Sequence, residues 1–332
     1  MTDAQVCETD ILARLQGGDI QGAVAGISTL PAGGADRLVL TGLAAAIAGR
    51  HAQADKLLGA AHLHNIERFV VEQSGTLDDR SARLLGQHCL GVEPLRDGEA
   101  RGISIFSFPK SGSTFLETIL QTYTGLDVHP MTSSNDSDGV NLDTLWFERT
   151  IRTRQITRGH LSANARCLSR CLMYDLRPVF LHRNIFDCLL SYADHFRTKY
   201  YPYPFELPDS PVAIEAAVLH MAFHYVEMYA SWMHFARRSG CVLTLSYEDN
   251  RRDWRAAAER VLVHSEIPVE RDRLDRAIAE ANDLVETDPF SVRYNRGGAR
   301  DRSLVDDATK ARIRRLYAVF PGIDFSPIDD AA

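Results

Sequence analysis

The segment from Ile103 to Leu116 constrains the fold of this chain more than any other. An apolar run stops at Pro109, and an amphipathic helical pattern follows within a few residues, with lysine, glycine and small hydroxyl residues at the break. This order predicts a strand over 103–108, a short loop and a helix over 113–124. Backbone N–H groups at a helix start attract anions, so the loop is expected to bind a phosphate.

The loop differs from the commonest phosphate-binding loop in the position of its lysine. A Walker A loop, GxxxxGK[ST], has its lysine after the glycines, whereas Lys110 precedes Gly112 here. The order PKSGSTFL resembles the 5′-phosphosulfate loop of sulfotransferases that use 3′-phosphoadenosine 5′-phosphosulfate (PAPS). In many relatives a tryptophan occupies the place of Phe115, and the smaller phenyl ring can also stack on adenine. The resemblance implies nucleotide contacts from Lys110, Ser111, Gly112, Ser113, Thr114 and Phe115.

A second strand-then-helix unit follows, with a strand expected over 178–182 and a helix over 185–197. Arg183 lies at the end of the strand, and Ser191 lies eight residues later, two helical turns along. Arginine suits phosphate because its planar fork meets two oxygens and stays charged. The spacing resembles the 3′-phosphate segment of the same family, which implies that Arg183 and Ser191 hold the 3′-phosphate.

Two C-terminal segments resemble the rest of the family's nucleotide site. The strand-like LTLSYED carries Tyr247, which the resemblance places near the adenine. The segment RYNRGGARD resembles a loop that closes over the 3′-phosphate, through Arg296, Gly297 and Gly298. Glycine stands where the family has a lysine in this loop, and no tryptophan follows Asp301.

The segment TRGHL resembles the one that carries the family's catalytic histidine. Imidazole titrates near neutral pH, so His160 is expected to deprotonate an acceptor hydroxyl or amine that attacks the sulfur. Lys110 would neutralise charge on the leaving phosphate oxygen, and Arg158 occupies a position where the family often has a lysine near the sulfonate. Glu117 and Asp136 are the next candidates for the base. The expected product is 3′-phosphoadenosine 5′-phosphate (PAP), and no metal is required by this mechanism.

Strands and helices alternate from residue 100 to about 325. This predicts a three-layer α/β domain with a mostly parallel central sheet and its site at the carboxyl ends of the strands. The resemblance to sulfotransferases implies that the sheet is of P-loop NTPase-like type. The remaining expected elements are helices over 142–153, 163–174, 212–238, 251–264, 270–282 and 306–318, and strands over 155–158 and 241–246.

Residues 1–95 have a different pattern and are expected to form a small helical extension. Between Ile11 and Asn65 the pattern predicts two helix pairs, and Leu40–Leu58 resembles a tetratricopeptide repeat. Ala-rich packing onto the main domain explains this pattern nearly as well. The extension is a candidate surface for a protein partner or a homodimer.

Net charge, hydropathy and cysteine spacing limit the expected binding partners and cellular location of the chain. A net charge of −7 disfavours nucleic-acid binding, and no apolar run approaches the roughly 20 residues of a membrane span. The six cysteines form no Cys-x-x-Cys pair, which favours a reducing cytoplasm.

Two other functions fit parts of the sequence. A nucleotide-dependent phosphotransferase would use the same strand–loop–helix, but it needs a Walker A lysine and a Mg²⁺-binding acid. A non-catalytic interaction protein could be built on the extension. For an enzyme, the acceptor is left open between phenol, sugar, peptide tyrosine, lipid and natural product, and the loops 132–139 and 199–205 are expected at the pocket rim.

Overall fold

A five-stranded parallel sheet organises the chain. The computed structural model describes residues 7–92, 102–131, 155–198, 211–287 and 305–329. Within these ranges the strand order is β2-β3-β1-β4-β5, and every neighbouring pair is parallel. The strands are β1 (Ile103–Ser107), β2 (Val128–Pro130), β3 (Ile156–Gly159), β4 (Arg177–His182) and β5 (Leu243–Ser246).

Helices cover both faces of the sheet and form the N-terminal extension. The extension contains α1 (Glu8–Gln16), α2 (Ile20–Thr29), α3 (Ala35–Ile47), α4 (His51–Ala60), α5 (Leu63–Glu72) and α6 (Asp79–Leu90). The sheet domain contains α7 (Ser113–Thr124), α8 (Ala165–Met173), α9 (Ile185–Thr198), α10 (Pro211–Ser239), α11 (Tyr247–Arg252), α12 (Trp254–His264), α13 (Arg271–Thr287), α14 (Asp307–Tyr317) and a 3₁₀ turn (Ser326–Ile328). None of the described helices combines the length and hydropathy needed to cross a membrane.

Successive side chains of the strands are buried in two separate hydrophobic cores, one on each face of the sheet. Ile105 of β1 packs with α7, α12 and α13 on one face, whereas Phe106 packs with α8, α9, α10 and α14 on the other. Because successive strand residues point to opposite faces, each buried strand contributes to both layers. The expected three-layer, mostly parallel α/β architecture with a helical extension is confirmed.

Several predicted boundaries differ from the structure. The three-residue strand β2 was not predicted, because so short a segment has no measurable periodicity. The helix expected over 251–264 is two helices, since the Asp253 carboxylate accepts a hydrogen bond from Ala256 N and begins α12 there. The helix expected over 142–153 and the boundary between residues 95 and 100 lie outside the described residues.

The extension shares its core with the sheet domain. Four of its six described helices, α1 to α4, cover most of the segment where two helix pairs were expected, and α5 and α6 pack on α8. Met173 of α8 is fully buried in the extension's core. A salt bridge of 2.9 Å joins buried Glu67 of α5 to buried Arg170 of α8. The resemblance to a tetratricopeptide repeat stays a prediction, as does a partner or homodimer surface on these helices.

Gly86 marks a close approach between the extension and the sheet domain. A Cβ added there would lie 1.9 Å from the backbone oxygen of Met173, which cannot rotate away. Gly86→Ala is therefore expected to lower stability by about 1–3 kcal/mol, the usual cost of overpacking a core. Thermal and urea unfolding would measure this loss.

The matched control is Gly59→Ala, a helical glycine with no atom within 4 Å of its added Cβ. That change should raise stability slightly, because alanine has the higher helix propensity. Equal unfolding midpoints for the two variants would contradict the tight contact at Gly86.

Candidate active site

The loop between β1 and α7 has the backbone of an anion-binding turn. Lys110 has a φ of 69° and Gly112 a φ of 84°, both in the left-handed region that residues other than glycine rarely adopt. Gly112 is also the N-cap of α7, and no side chain caps the helix there. The first-turn N–H groups of a helix have no intrahelical acceptor, so this loop directs donors to a common point.

The carbonyl oxygens of three consecutive loop residues are held by side-chain donors. The hydrogen bonds run from the Ser111 hydroxyl to Phe108 O (2.7 Å), from the Tyr225 hydroxyl to Pro109 O (3.0 Å), and from Arg183 Nη1 to Lys110 O (3.0 Å). Because these carbonyls are fixed, the intervening peptide planes are fixed as well. The loop is therefore shaped before any ligand binds.

Arg183 connects the two predicted phosphate segments. Besides its bond to Lys110 O, its guanidinium lies 4.4 Å from the centre of the Tyr247 ring and 3.7 Å from an Asp187 carboxylate oxygen. Its Nε is buried without a hydrogen-bond partner. An unsatisfied buried donor on a cation costs free energy, and an anionic ligand would remove that cost.

Next to Arg183, the buried His182 is neutral at physiological pH. Burial lowers the pKa of His182 to about 4. The positive charge at this end of β4 is thus that of Arg183. Ser191 lies on α9 and is almost buried, whereas Arg296, Gly297 and Gly298 lie outside the described residues.

His160 directly follows β3, and its ring is held by the neighbouring strand. Nδ1 lies 2.7 Å from the backbone oxygen of Ser107 and 3.4 Å from that residue's hydroxyl. A carbonyl can only accept, so Nδ1 carries the proton in the neutral ring and Nε2 carries the lone pair. This tautomer suits a general base that acts through Nε2.

Arg158 forms an ion pair that the sequence did not reveal. Its Nη1 donates to both carboxylate oxygens of Glu117, at 3.0 and 3.3 Å. Glu117 is buried on α7, whereas the Arg158 side chain is 40% exposed. Part of the Arg158 charge is therefore balanced, and the exposed guanidinium keeps further N–H groups for an anion.

Phe115, Tyr247 and Trp254 pack together beside the loop. Phe115 is only 2% exposed, and its ring meets Trp254 edge-on at 5.0 Å between centroids. The Tyr247 ring covers Gly112, because a Cβ added to that glycine would lie 2.7 Å from it. Trp254 was missed from the sequence, since a tryptophan after a helix cap is usually a packing residue.

Other sequence expectations fall outside the described part of the chain. These are the candidate rim loops 132–139, which include Asp136, and 199–205. Within the described ranges, no group of three or more His, Cys, Asp or Glu side chains is arranged to hold a metal ion.

The parallel sheet, the left-handed loop at a helix N-terminus and the arginine at the next strand end define an α/β protein of the phosphate-loop type. A family model, the sulfotransferase domain, matches residues 101–282, more than half of the chain. The chain therefore belongs to the sulfotransferase family. No curated protein sequence matches it.

Among the solved structures that this chain resembles, that of a mouse sulfotransferase shows the same fold at low sequence identity. The mouse sulfotransferase SULT7A1 complexed with PAP is 15% identical with a TM-score of 0.52, over 70% of this chain and 88% of that chain. A retinol dehydratase in a complex with retinol and PAP is 12% identical with a TM-score of 0.45, over 69% of this chain and 82% of that chain.

Proposed function

We propose that this protein transfers the sulfuryl group of PAPS to a hydroxyl or amine of an acceptor, by in-line displacement with His160 as the base. The hydrogen bond between Arg183 and Lys110 O carries this proposal. It joins the proposed 3′-phosphate segment to the proposed 5′-phosphate loop, so that one nucleotide could contact both. The family match and the PAP carried by the SULT7A1 structure support the same donor.

The residues present fit the donor's charges. The orphaned Nε of Arg183 and the hydroxyl of Ser191 are the proposed contacts of the 3′-phosphate. Lys110 and the N–H groups of Gly112, Ser113 and Thr114 are the proposed contacts of the 5′-phosphosulfate. Arg296, Gly297 and Gly298 stay a prediction for the cap over the 3′-phosphate.

In the proposed reaction a bond from the acceptor to sulfur forms, and an oxygen–sulfur bond breaks. His160 Nε2 takes the acceptor proton, while the Nδ1–H bond to Ser107 O holds the ring in place and stabilises the imidazolium. The acceptor oxygen or nitrogen bonds to sulfur, and the bond from sulfur to the 5′-phosphate breaks. Lys110 balances charge on the leaving phosphate, and PAP leaves.

Arg158 is proposed to stabilise charge on the transferred sulfonate. Its ion pair with Glu117 fixes the guanidinium and moderates its charge. The ion pair also explains why a carboxylate is buried at Glu117. Both of its oxygens accept hydrogen bonds from Arg158, so Glu117 is not needed as the base.

A thermal-shift comparison tests the donor. PAP should raise the melting temperature by a few degrees at saturating concentration, while 5′-AMP and ATP should raise it less. The physical reason is that only PAP places charge at the proposed 3′-phosphate site. Equal shifts from all three nucleotides would reject the PAPS assignment, and a screen with labelled PAPS, read by mass spectrometry, would identify the acceptor.

A further inference from the structure

A surface groove lies beside Trp254, whose ring would be 3.5 Å from a Cβ added to Gly112 of the loop after β1. Its volume is about 440 Å³, and it separates the start of α12 from α13. The lining includes Arg252, Trp254, Arg255, Asp275, Ile278 and Asn282. Trp254 is thus the aromatic residue among the side chains that line this groove.

The ring of Phe115 is packed in the protein core. At 2% exposure and in edge contact with Trp254, it offers almost no face to a ligand. Trp254 is partly exposed and contributes to the groove surface. A base near the loop would therefore meet the indole before it meets the phenyl ring.

The two phosphate contacts determine where the base of a bound nucleotide can go. Tyr247 lies between them, because its ring covers Gly112 on one side and supports the Arg183 guanidinium on the other. A ribose that carries phosphates at both proposed contacts would lie next to this ring. Trp254 is the next aromatic residue, 6.3 Å from Tyr247 between centroids, and it opens onto the groove.

From these contacts we propose that Trp254 is the main nucleobase contact, and that the adenine of the donor lies in the groove against its indole ring. This inference rests on the proposed PAPS-dependent function. The indole has a larger π surface than a phenyl ring, and stacking on it is sequence-tolerant and strong. Phe115 then acts as the packing partner that holds the indole in position.

The test compares two ligands and three variants by calorimetry. The ligands are PAP and a ribose 3,5-bisphosphate that lacks the base. Trp254→Leu keeps an apolar side chain against Phe115 but removes the aromatic face, Trp254→Phe keeps a smaller face, and Phe223→Ala removes an exposed aromatic residue from α10 as the control.

Trp254→Leu should weaken PAP by about 5- to 150-fold, the usual loss when a stacked aromatic is removed, and should leave the base-free ligand unchanged. The affinity of Trp254→Phe for PAP should lie between those of Trp254→Leu and the unchanged protein. Phe223→Ala should bind PAP as tightly as the unchanged protein does. Equal PAP affinity for Trp254→Leu and the unchanged protein would overturn the role of Trp254 while leaving the function intact. If the unchanged protein fails to bind PAP, the proposed function fails, and the nucleobase site fails with it.

Discussion

His160→Ala is expected to lower sulfuryl transfer by about 10²–10⁴-fold, the usual contribution of a positioned general base. Affinity for PAP should be almost unchanged, because the proposed nucleotide contacts come from the loop after β1 and from Arg183. The rise in rate with pH that deprotonation of a base produces should also disappear. Steady-state kinetics over a pH series and calorimetry with PAP measure the two effects.

Two further variants separate chemistry from positioning. His160→Asn can keep a hydrogen bond to Ser107 O but has no basic nitrogen, so it should be as slow as the alanine variant. His234→Ala removes an exposed histidine on α10 and should leave the rate unchanged. Near-normal transfer by His160→Asn would contradict the base assignment, and Asp136 would then be the next candidate.

Arg183→Ala should weaken the binding of PAP by about 2–5 kcal/mol, the loss of binding free energy expected when one partner of a largely buried charge pair is removed. The effect on 5′-AMP should be much smaller, because that ligand has no 3′-phosphate. Calorimetry with the two ligands gives the difference directly.

Arg183 also holds the loop through Lys110 O, so a loop control is needed. Tyr225→Phe removes a comparable donor, the one to Pro109 O, without touching the proposed 3′-phosphate contacts. It should weaken PAP and 5′-AMP equally. If Arg183→Ala also reduces both affinities equally, the arginine supports the loop and does not bind the 3′-phosphate.

The strand, loop and helix around Lys110 could be predicted because their signals are local. Apolar runs, a proline break and a 3.6-residue period lie within about 20 residues, and so does the spacing of Arg183 and Ser191. Strand and helix alternation was likewise sufficient for the α/β class. Elements with weak local signals were the ones in error, namely the three-residue β2 and the helix interrupted at Asp253.

Contacts between distant residues required the tertiary structure. The Glu117 carboxylate that holds Arg158 is 41 residues away in sequence, and the Tyr225 hydroxyl that fixes the loop is 116 residues away. The packing of α5 and α6 on α8 also required the tertiary structure. The apolar pattern of a helix shows that one face is buried, but not which element covers that face.

The sequence alone determined the strand, the loop and the helix start around Lys110, because a loop and its helix are encoded in consecutive residues. It placed Phe115 at the adenine by position, and burial of that ring against Trp254 could not be read from the order of residues. Only the tertiary structure decided which aromatic face is exposed, because exposure depends on helices that pack from distant parts of the chain.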